Sequence, residues 1–292
     1  MKHRKSVALV VGGAVAAVGL SAIALAGSAQ ASPAHSGASQ AVAAAKAVTH
    51  DQGVKPTVVL VHGAWADAAG WTPEVERLQA AGYPVVAPPN PLRGLASDAA
   101  YIHAVLAQIK GPIILVGHSY GGAVITNAVQ GDPDVKALVY IAAFAPDQGD
   151  SLATLNAMPQ AAQIKPVPAI PTSYPEPDGT TGTELTIDPA QYPTVFLNNL
   201  LPVAQERALA VEQRPLSVAS ATQPSGAPAW KTIPSWYMVA KQDDAIAPNL
   251  ERFMAARAHA HTVEVNGPHL IMQTNPAAVT ALIEQAACAT TG

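Results

Sequence analysis

A Gly-x-Ser-x-Gly segment between a strand-like run and a helix-like run constrains the fold more than any other part of the chain. It reads Gly-His-Ser-Tyr-Gly over residues 117–121, with Ser119 at its centre. The apolar run 113–116 before it is typical of a buried parallel strand, and residues 123–129 after it have apolar side chains at helical spacing. A turn this tight requires glycines at its outer positions and exposes the serine hydroxyl above the sheet. The segment therefore predicts that Ser119 is a nucleophile.

Strand-like and helix-like runs alternate along most of the chain. Strands are predicted at residues 57–62, 83–87, 113–116, 135–144, 233–239 and 261–265. Helices are predicted at residues 72–81, 97–110, 123–129, 248–257 and 276–287. This alternation indicates the α/β class, with a mainly parallel sheet covered by helices on both faces.

The alternation stops within a Pro-rich stretch at residues 145–232, which contains only short helix-like pieces at 190–201 and 202–212. An insertion of this size at one edge of an α/β sheet usually covers the active site. We therefore expect one domain over residues 56–290, with a cap inserted at about 145–232.

The N-terminus has the pattern of a secretory signal. A basic start at residues 1–5 is followed by an apolar run at 6–27 and by the small-x-small sequence Ala29-Gln30-Ala31. We expect residues 1–31 to be a signal peptide cleaved after Ala31, residues 32–55 to be a flexible spacer, and the protein to be secreted. The alternative is an uncleaved N-terminal membrane anchor.

Charge and cysteine content exclude several classes of partner. The chain has 16 Lys and Arg against 20 Asp and Glu, and loss of the predicted signal changes the formal net charge from −4 to −7. An acidic protein is not expected to bind nucleic acid or a membrane surface. Cys288 is the only cysteine, so no intrachain disulfide can form. The oligomeric state cannot be predicted from the sequence.

A serine nucleophile needs a base, and the base needs a carboxylate to orient it. His269 follows the last predicted strand and fits the base. Asp243 follows the preceding strand and gives the order Ser, Asp, His that is expected for this architecture. Asp147, which follows an earlier strand, and Asp244 are alternatives for the acid.

The oxyanion of an acyl-transfer reaction needs backbone N–H donors. Tyr120 follows the nucleophile at a helix N-terminus, and Ala64 lies in the loop after the first strand, where Gly63 allows close approach. His62 precedes these residues as a second possible base or substrate contact, but the end of a strand favours a hydrogen-bonded structural histidine.

Apolar side chains near the predicted catalytic loops and in the cap are candidates for a substrate pocket. The predicted substrate-binding residues are His62, Trp65, Phe144, Phe196, Ile246 and Leu270. His259 and His261 lack further metal ligands at suitable spacing, so no metal is expected.

These segments together resemble the α/β-hydrolase superfamily, and within it the branch of plant methyl esterases, hydroxynitrile lyases and their bacterial esterase relatives. The residues that carry the resemblance are 62–65, 117–122, Asp243 with Ile246 and Pro248, and 267–270. The resemblance implies the α/β-hydrolase fold with an inserted cap, favours Asp243 as the acid, and implies oxyanion amides at Ala64 and Tyr120.

Two departures from that branch affect the predicted chemistry. The lyases carry a lysine after the catalytic histidine, where this chain has Leu270, and their threonine near the oxyanion site is absent. Cyanohydrin cleavage is therefore disfavoured. The prediction is a secreted serine hydrolase that cleaves small to medium carboxylic esters, a small-molecule substrate class, without a cofactor. The alternatives are a receptor-like ligand-binding protein and cofactor-free lyase or haloperoxidase chemistry on the same fold.

Overall fold

A computed structural model describes residues 55–129, 131–162 and 164–291 of the 292-residue chain. The predicted signal peptide and nearly all of the predicted spacer lie outside these residues. The strands of the described residues are β1 (Thr57–Val61), β2 (Val85–Val86), β3 (Ile113–Ser119), β4 (Val135–Ala143), β5 (Ala169–Pro175), β6 (Thr181–Ile187), β7 (Leu216–Ser217), β8 (Ser235–Ala240) and β9 (His261–Val265).

The main sheet has six strands in the order β2-β1-β3-β4-β8-β9, and neighbouring strands are parallel throughout. Parallel strands end at the same edge of a sheet, so the loops after β1, β3, β8 and β9 lie on one side of the molecule. The predicted α/β class with a mainly parallel sheet is confirmed.

Helices cover both faces of this sheet, and alternate side chains of β1 pack into two different hydrophobic cores. One face is covered by α1 (Thr72–Ala80) and α10 (Pro276–Thr291), and the other by α2 (Leu95–Leu106), α3 (Tyr120–Ala128) and α8 (Pro248–Arg257). Val58 and Leu60 pack on the first face, whereas Val59 and Val61 pack on the second. Each fully buried side chain of this kind contributes roughly 1.5–3 kcal/mol.

The chain between β4 and β8 forms a separate layer of short elements. Its helices are α4 (Leu152–Asn156), α5 (Tyr192–Leu197), α6 (Val203–Val211) and α7 (Val218–Thr222). A short α9 (Ile271–Thr274) precedes α10, and the 3₁₀ turns are Ala68–Trp71, Pro159–Ala161 and Ala229–Lys231. None of the helices in the described part of the chain is long and apolar enough to cross a membrane.

A three-stranded antiparallel sheet in this layer was not predicted. Its order is β5-β6-β7, and β5 pairs with β6 from Ala169 opposite Ile187 to Pro175 opposite Thr181. Proline has no N–H to donate to a neighbouring strand, so the prolines of β5 make this segment look unlike a strand in the sequence. An edge strand tolerates proline, and β5 is at the edge.

Candidate active site

Ser119 lies at a sharp turn between β3 and α3. Its backbone has φ 54° and ψ −125°, a conformation outside the regions that L-residues normally occupy. A Cβ on Gly117 would lie 2.6 Å from the backbone oxygen of Gly121, so the turn closes only because Gly117 has no side chain. The local sequence thus folds as the pattern predicts, and it fixes the position of the Ser119 hydroxyl.

The structure brings Ser119, His269 and Asp243 into one hydrogen-bonded row. His269 Nε2 lies 2.9 Å from Ser119 Oγ, and His269 Nδ1 lies 2.6 Å from Asp243 Oδ2. The three residues are 7%, 3% and 1% exposed, so the row is largely shielded from solvent. The row joins the loops after β8 and β9 to the turn after β3.

Backbone amides fix the carboxylate of Asp243. Its Oδ1 accepts hydrogen bonds from the N–H groups of Ala245 (2.6 Å) and Ile246 (2.7 Å), which leaves Oδ2 for the histidine. Charge-assisted bonds of this kind stabilise the ionised form of a carboxyl group.

The two other candidate acids do not contact His269. Asp147 forms an ion pair with Lys231 at 2.6 Å on the surface, and this bond lowers the pKa of Asp147. Asp244 is exposed beside Asp243. Consecutive residues of this loop thus point in different directions, and only Asp243 reaches the imidazole.

Ala64 and Tyr120, the residues of the two predicted oxyanion amides, line the same cavity as Ser119. A Cβ on Gly63 would lie 2.6 Å from the Cβ of Ser119. The loop after β1 therefore passes very close to the serine. Within the described residues, the backbone N–H groups of Ala64 and Tyr120 have no acceptor. Both are free to bind an anion.

A buried hydrogen bond anchors Tyr120 from the other side. Its hydroxyl donates to Asp98 Oδ2 at 2.6 Å, while Asp98 Oδ1 accepts the N–H of Arg93 at 3.1 Å. Burial raises the pKa of Asp98, and these hydrogen bonds oppose the rise. Asp98 thereby connects the start of α2 to Tyr120, the residue after Ser119.

A cavity of about 290 Å³ opens onto Ser119 and His269. Its walls combine the loops of the main sheet with the layer between β4 and β8, and they are mostly apolar. The apolar side chains that line it include Trp65, Phe144, Leu152, Ala161, Ile164, Val167, Leu185, Phe196, Leu216 and Ile246. Four of the six predicted substrate-binding residues therefore line the cavity, namely Trp65, Phe144, Phe196 and Ile246.

The other two predicted substrate-binding residues, His62 and Leu270, lie outside the cavity. His62 Nε2 accepts the N–H of Asn90 at 2.9 Å and its Nδ1 is 2.9 Å from the carbonyl of Gly63, so neither nitrogen is free for a substrate. Burial lowers the pKa of His62 to about 4, so it is neutral at pH 7. Leu270 packs in the core on the α1 and α10 face. His62 and Leu270 were predicted as substrate contacts, but neither lines the cavity, because both side chains point away from it.

Three further histidines and the cysteine also have defined places. His118 lies behind the turn, where its Nε2 is 3.0 Å from the carbonyl oxygen of His269. His259 and His261 are exposed, and Cys288 is exposed on α10. In the part of the chain that the structure describes, no group of three or more potential ligands is arranged to hold a metal ion.

Sequence reasoning missed two buried glutamates, Glu74 on α1 and Glu251 on α8, each 0% exposed. A signal for Glu251 exists in the helix pattern. It is one of four buried residues of α8, together with Leu250, Met254 and Ala255, so an acidic residue occupies the apolar stripe.

A parallel sheet, a serine at a strand-to-helix turn and a histidine and an aspartate on later loops define the α/β-hydrolase architecture. The chain belongs to the alpha/beta hydrolase family, whose family model matches residues 58–282.

Known proteins agree with this assignment. A 110-residue segment is 37% identical to the carbendazim hydrolyzing esterase of Nocardioides sp. (strain SG-4G), and it covers 33% of this chain and 46% of that esterase. The segment thus spans less than half of that relative.

Two solved structures share the fold over most of the chain. Polyneuridine aldehyde esterase has a TM-score of 0.67 at 19% identity, with 79% of this chain and 98% of that chain covered. A pyrethroid hydrolase from Sphingobium faniae JZ-2 has a TM-score of 0.63 at 22% identity, with 80% and 98% covered. At these identities the similarity concerns the fold alone.

Proposed function

We propose that this protein is a serine esterase that cleaves small to medium carboxylic esters through an acyl-enzyme. The observation that carries the proposal is the hydrogen-bonded row in which His269 lies 2.9 Å from Ser119 Oγ and 2.6 Å from Asp243 Oδ2. A serine hydroxyl is a weak nucleophile until a base at this distance removes its proton. The name of the Nocardioides relative adds support for ester substrates.

In acylation, a proton moves from Ser119 to His269 and then to the leaving alcohol. Ser119 Oγ attacks the ester carbonyl carbon while His269 Nε2 takes the hydroxyl proton, and the carbonyl π electrons move onto the oxygen. The amides of Ala64 and Tyr120 donate hydrogen bonds to that oxyanion. When the intermediate collapses, the bond to the alcohol oxygen breaks and His269 gives its proton to the leaving alcohol.

Deacylation repeats these steps with water in place of the serine hydroxyl. His269 takes a proton from water as the water oxygen attacks the acyl carbon, and it returns that proton to Ser119 when the carboxylic acid leaves. Asp243 holds the tautomer of His269 that has its proton on Nδ1, and it stabilises the imidazolium that forms in each half-reaction. No step requires a cofactor.

The proposed substrate class follows from the cavity. A mostly apolar space of about 290 Å³ suits an uncharged acyl or alcohol group of modest size. Trp65, Phe144, Phe196 and Ile246 are the proposed contacts for that group.

Export is part of the proposal. The basic start, the apolar run and the Ala29-Gln30-Ala31 sequence support secretion of a mature chain that begins at Ser32.

The test uses the mature chain with p-nitrophenyl acetate, butyrate and octanoate. Ser119→Ala is expected to lower kcat by at least about 10⁴-fold without changing the unfolding midpoint, because it removes the nucleophile and leaves the row's other members in place. The matched control is Ser173→Ala, an exposed serine of β5, which is expected to leave kcat unchanged.

Equal turnover by wild type and Ser119→Ala would refute the serine mechanism. Saturable binding of an ester without turnover in a folded wild type would instead favour a receptor-like protein.

A further inference from the structure

Glu251 is a buried carboxyl group behind the proposed catalytic row. It lies in the first turn of α8 and is 0% exposed. Its Oε2 accepts the N–H of Ala240, the last residue of β8, at 3.2 Å. Its Oε1 is equally buried and receives no hydrogen bond from a donor group of the described residues.

The carboxyl of Asp243 is close enough to Glu251 for a hydrogen bond between the two side chains when one of them carries a proton. The same residue of β8 holds both, because the N–H of Ala240 donates to Glu251 and the carbonyl of Ala240 accepts the N–H of Asp243 at 3.2 Å. Other titratable groups do not neutralise Glu251. The buried hydroxyl of Tyr237 donates to the carbonyl of Ala143, and Arg252 is turned to the surface, where it forms two bonds to Glu264 at 2.7 and 2.8 Å.

Two adjacent buried carboxyl groups cannot both be ionised, because each charge is desolvated and repels the other. Asp243 accepts three hydrogen bonds, from two backbone amides and from His269, whereas Glu251 accepts one. The carboxyl group that accepts more hydrogen bonds is the one stabilised in its charged form, so the proton of the pair belongs to Glu251. Burial and the charge of Asp243 accordingly raise the pKa of Glu251 well above its ordinary value.

We infer that Glu251 is a positioning residue that remains protonated in the working protein, donates to Asp243 and so holds that carboxylate in place against His269. This inference rests on the proposed function, since the role of Asp243 does. Deprotonation of Glu251 would place a second negative charge beside Asp243 and remove the donor. Activity should therefore fall at alkaline pH as Glu251 loses its proton.

Glutamine is the informative substitution, because its amide donates a hydrogen bond and cannot ionise. Glu251→Gln should keep kcat/KM within about threefold of wild type at pH 7. Above the pH at which wild-type activity begins to fall, the ratio of kcat/KM for the variant to kcat/KM for wild type should rise by up to tenfold per pH unit. Glu251→Leu, which has no donor, should lose at least tenfold in kcat with little change in KM. Glu76→Gln, an exposed change on α1, is the control.

The experiment measures ester hydrolysis by the mature chain in a pH-stat, together with infrared difference spectra. All spectra are recorded in a Glu74→Gln background, because the buried Glu74 is also protonated at pH 7. In that background the C=O stretch of a protonated carboxyl should be present at pH 7 when Glu251 and Ser119 are unchanged, present when Ser119→Ala is added and missing when Glu251→Gln is added. With Glu251 unchanged, this band should disappear with the same midpoint as the activity.

Three results would overturn the inference. They are a Glu251→Gln spectrum that still contains the full band, an alkaline decline that is identical in the two proteins, and a Glu251→Leu variant with unchanged kcat. The infrared result does not depend on turnover, so a protein that shows the band and hydrolyses no ester would refute the proposed function and retain the protonated Glu251.

Discussion

Three buried histidines surround Ser119, and their hydrogen bonds separate their roles. His62 accepts from a backbone amide, and His118 is bound to the carbonyl of His269. Burial lowers the pKa of both residues, so each is neutral at pH 7. Only His269 has one nitrogen against a carboxylate and the other against the serine hydroxyl. The proposed base is thus selected by its partners rather than by its residue type.

Glu74 gives a prediction about stability at this scale. It is fully buried on α1 with neither oxygen paired among the described residues, and burial raises its pKa from 4.5 to about 9. Between these values the folded state binds more protons than the unfolded state, so Glu74 lowers stability as pH rises. Glu74→Gln removes this dependence.

The gain in free energy of unfolding from Glu74→Gln is expected to be larger at pH 8 than at pH 5. The difference should reach a few kcal/mol, since each pH unit corresponds to about 1.4 kcal/mol. Urea titrations at both pH values measure it, with the exposed Glu76→Gln on the same helix as control. An equal gain at both pH values would show that Glu74 is ionised in the folded protein.

At the scale of elements, the hairpin of β5 and β6 is attached to the main domain by few polar contacts. Trp65 Nε1 donates to the carbonyl of Leu185 at 2.8 Å, and the backbone carbonyl of Trp65 accepts the hydroxyl of Tyr192 at 3.0 Å. Arg93 and Glu184 form an ion pair at 2.6 Å that is partly exposed. Trp65 therefore links the loop after β1 to the wall of the cavity.

Trp65→Phe should loosen this wall. It keeps an aromatic ring and leaves the carbonyl of Leu185 without its donor, a loss worth about 1 kcal/mol. We expect faster hydrogen exchange over residues 181–187 and a severalfold higher KM for the butyrate ester, with kcat changed little. Arg93→Gln removes the exposed ion pair and should have a smaller effect. Unchanged exchange in Trp65→Phe would show that the indole N–H does not hold the hairpin.

The elements differ in how well the sequence predicts them, for physical reasons. The turn at Ser119 and the strand before it are specified locally by glycines and β-branched residues, so the pattern was sufficient. Its place after a predicted strand made Asp243 a candidate acid together with Asp147 and Asp244, and the order Ser, Asp, His and the family resemblance favoured Asp243. The apolar stripe of α8 signals that Glu251 is buried, but its contacts with Asp243 and Ala240 arise from tertiary packing, and no local pattern predicts them. The prolines of β5 likewise make this segment look unlike a strand in the sequence. The strand forms because an edge position tolerates proline, a property that depends on the sheet and not on the local sequence.

At the scale of the whole molecule, the sheet order assembles a site from distant parts of the chain. Ser119 and His269 are 150 residues apart in sequence, and their contact depends on β3, β8 and β9 ending at the same edge. The sheet therefore fixes the relative positions of Ser119, Asp243 and His269, and the layer between β4 and β8 contributes part of the cavity wall.

Export gives a prediction for the full chain. When residues 1–292 are expressed in a bacterial secretion host, the protein in the medium is expected to begin at Ser32, as determined by intact mass and N-terminal sequencing. Replacing Ala29 and Ala31 with arginine should abolish this cleavage, because a signal peptidase site needs small residues there. Recovery of the uncleaved wild-type chain from the membrane fraction would favour the anchor instead.

The most direct test of the proposed mechanism is covalent labelling of the mature protein with diethyl p-nitrophenyl phosphate. Attack by an activated serine breaks the bond from phosphorus to p-nitrophenolate and leaves a diethylphosphoryl serine. We predict release of one p-nitrophenolate per protein, one added diethylphosphoryl mass on the peptide that contains Ser119, and no labelling of Ser119→Ala. Labelling of another residue, or equal labelling of Ser119→Ala, would contradict the account.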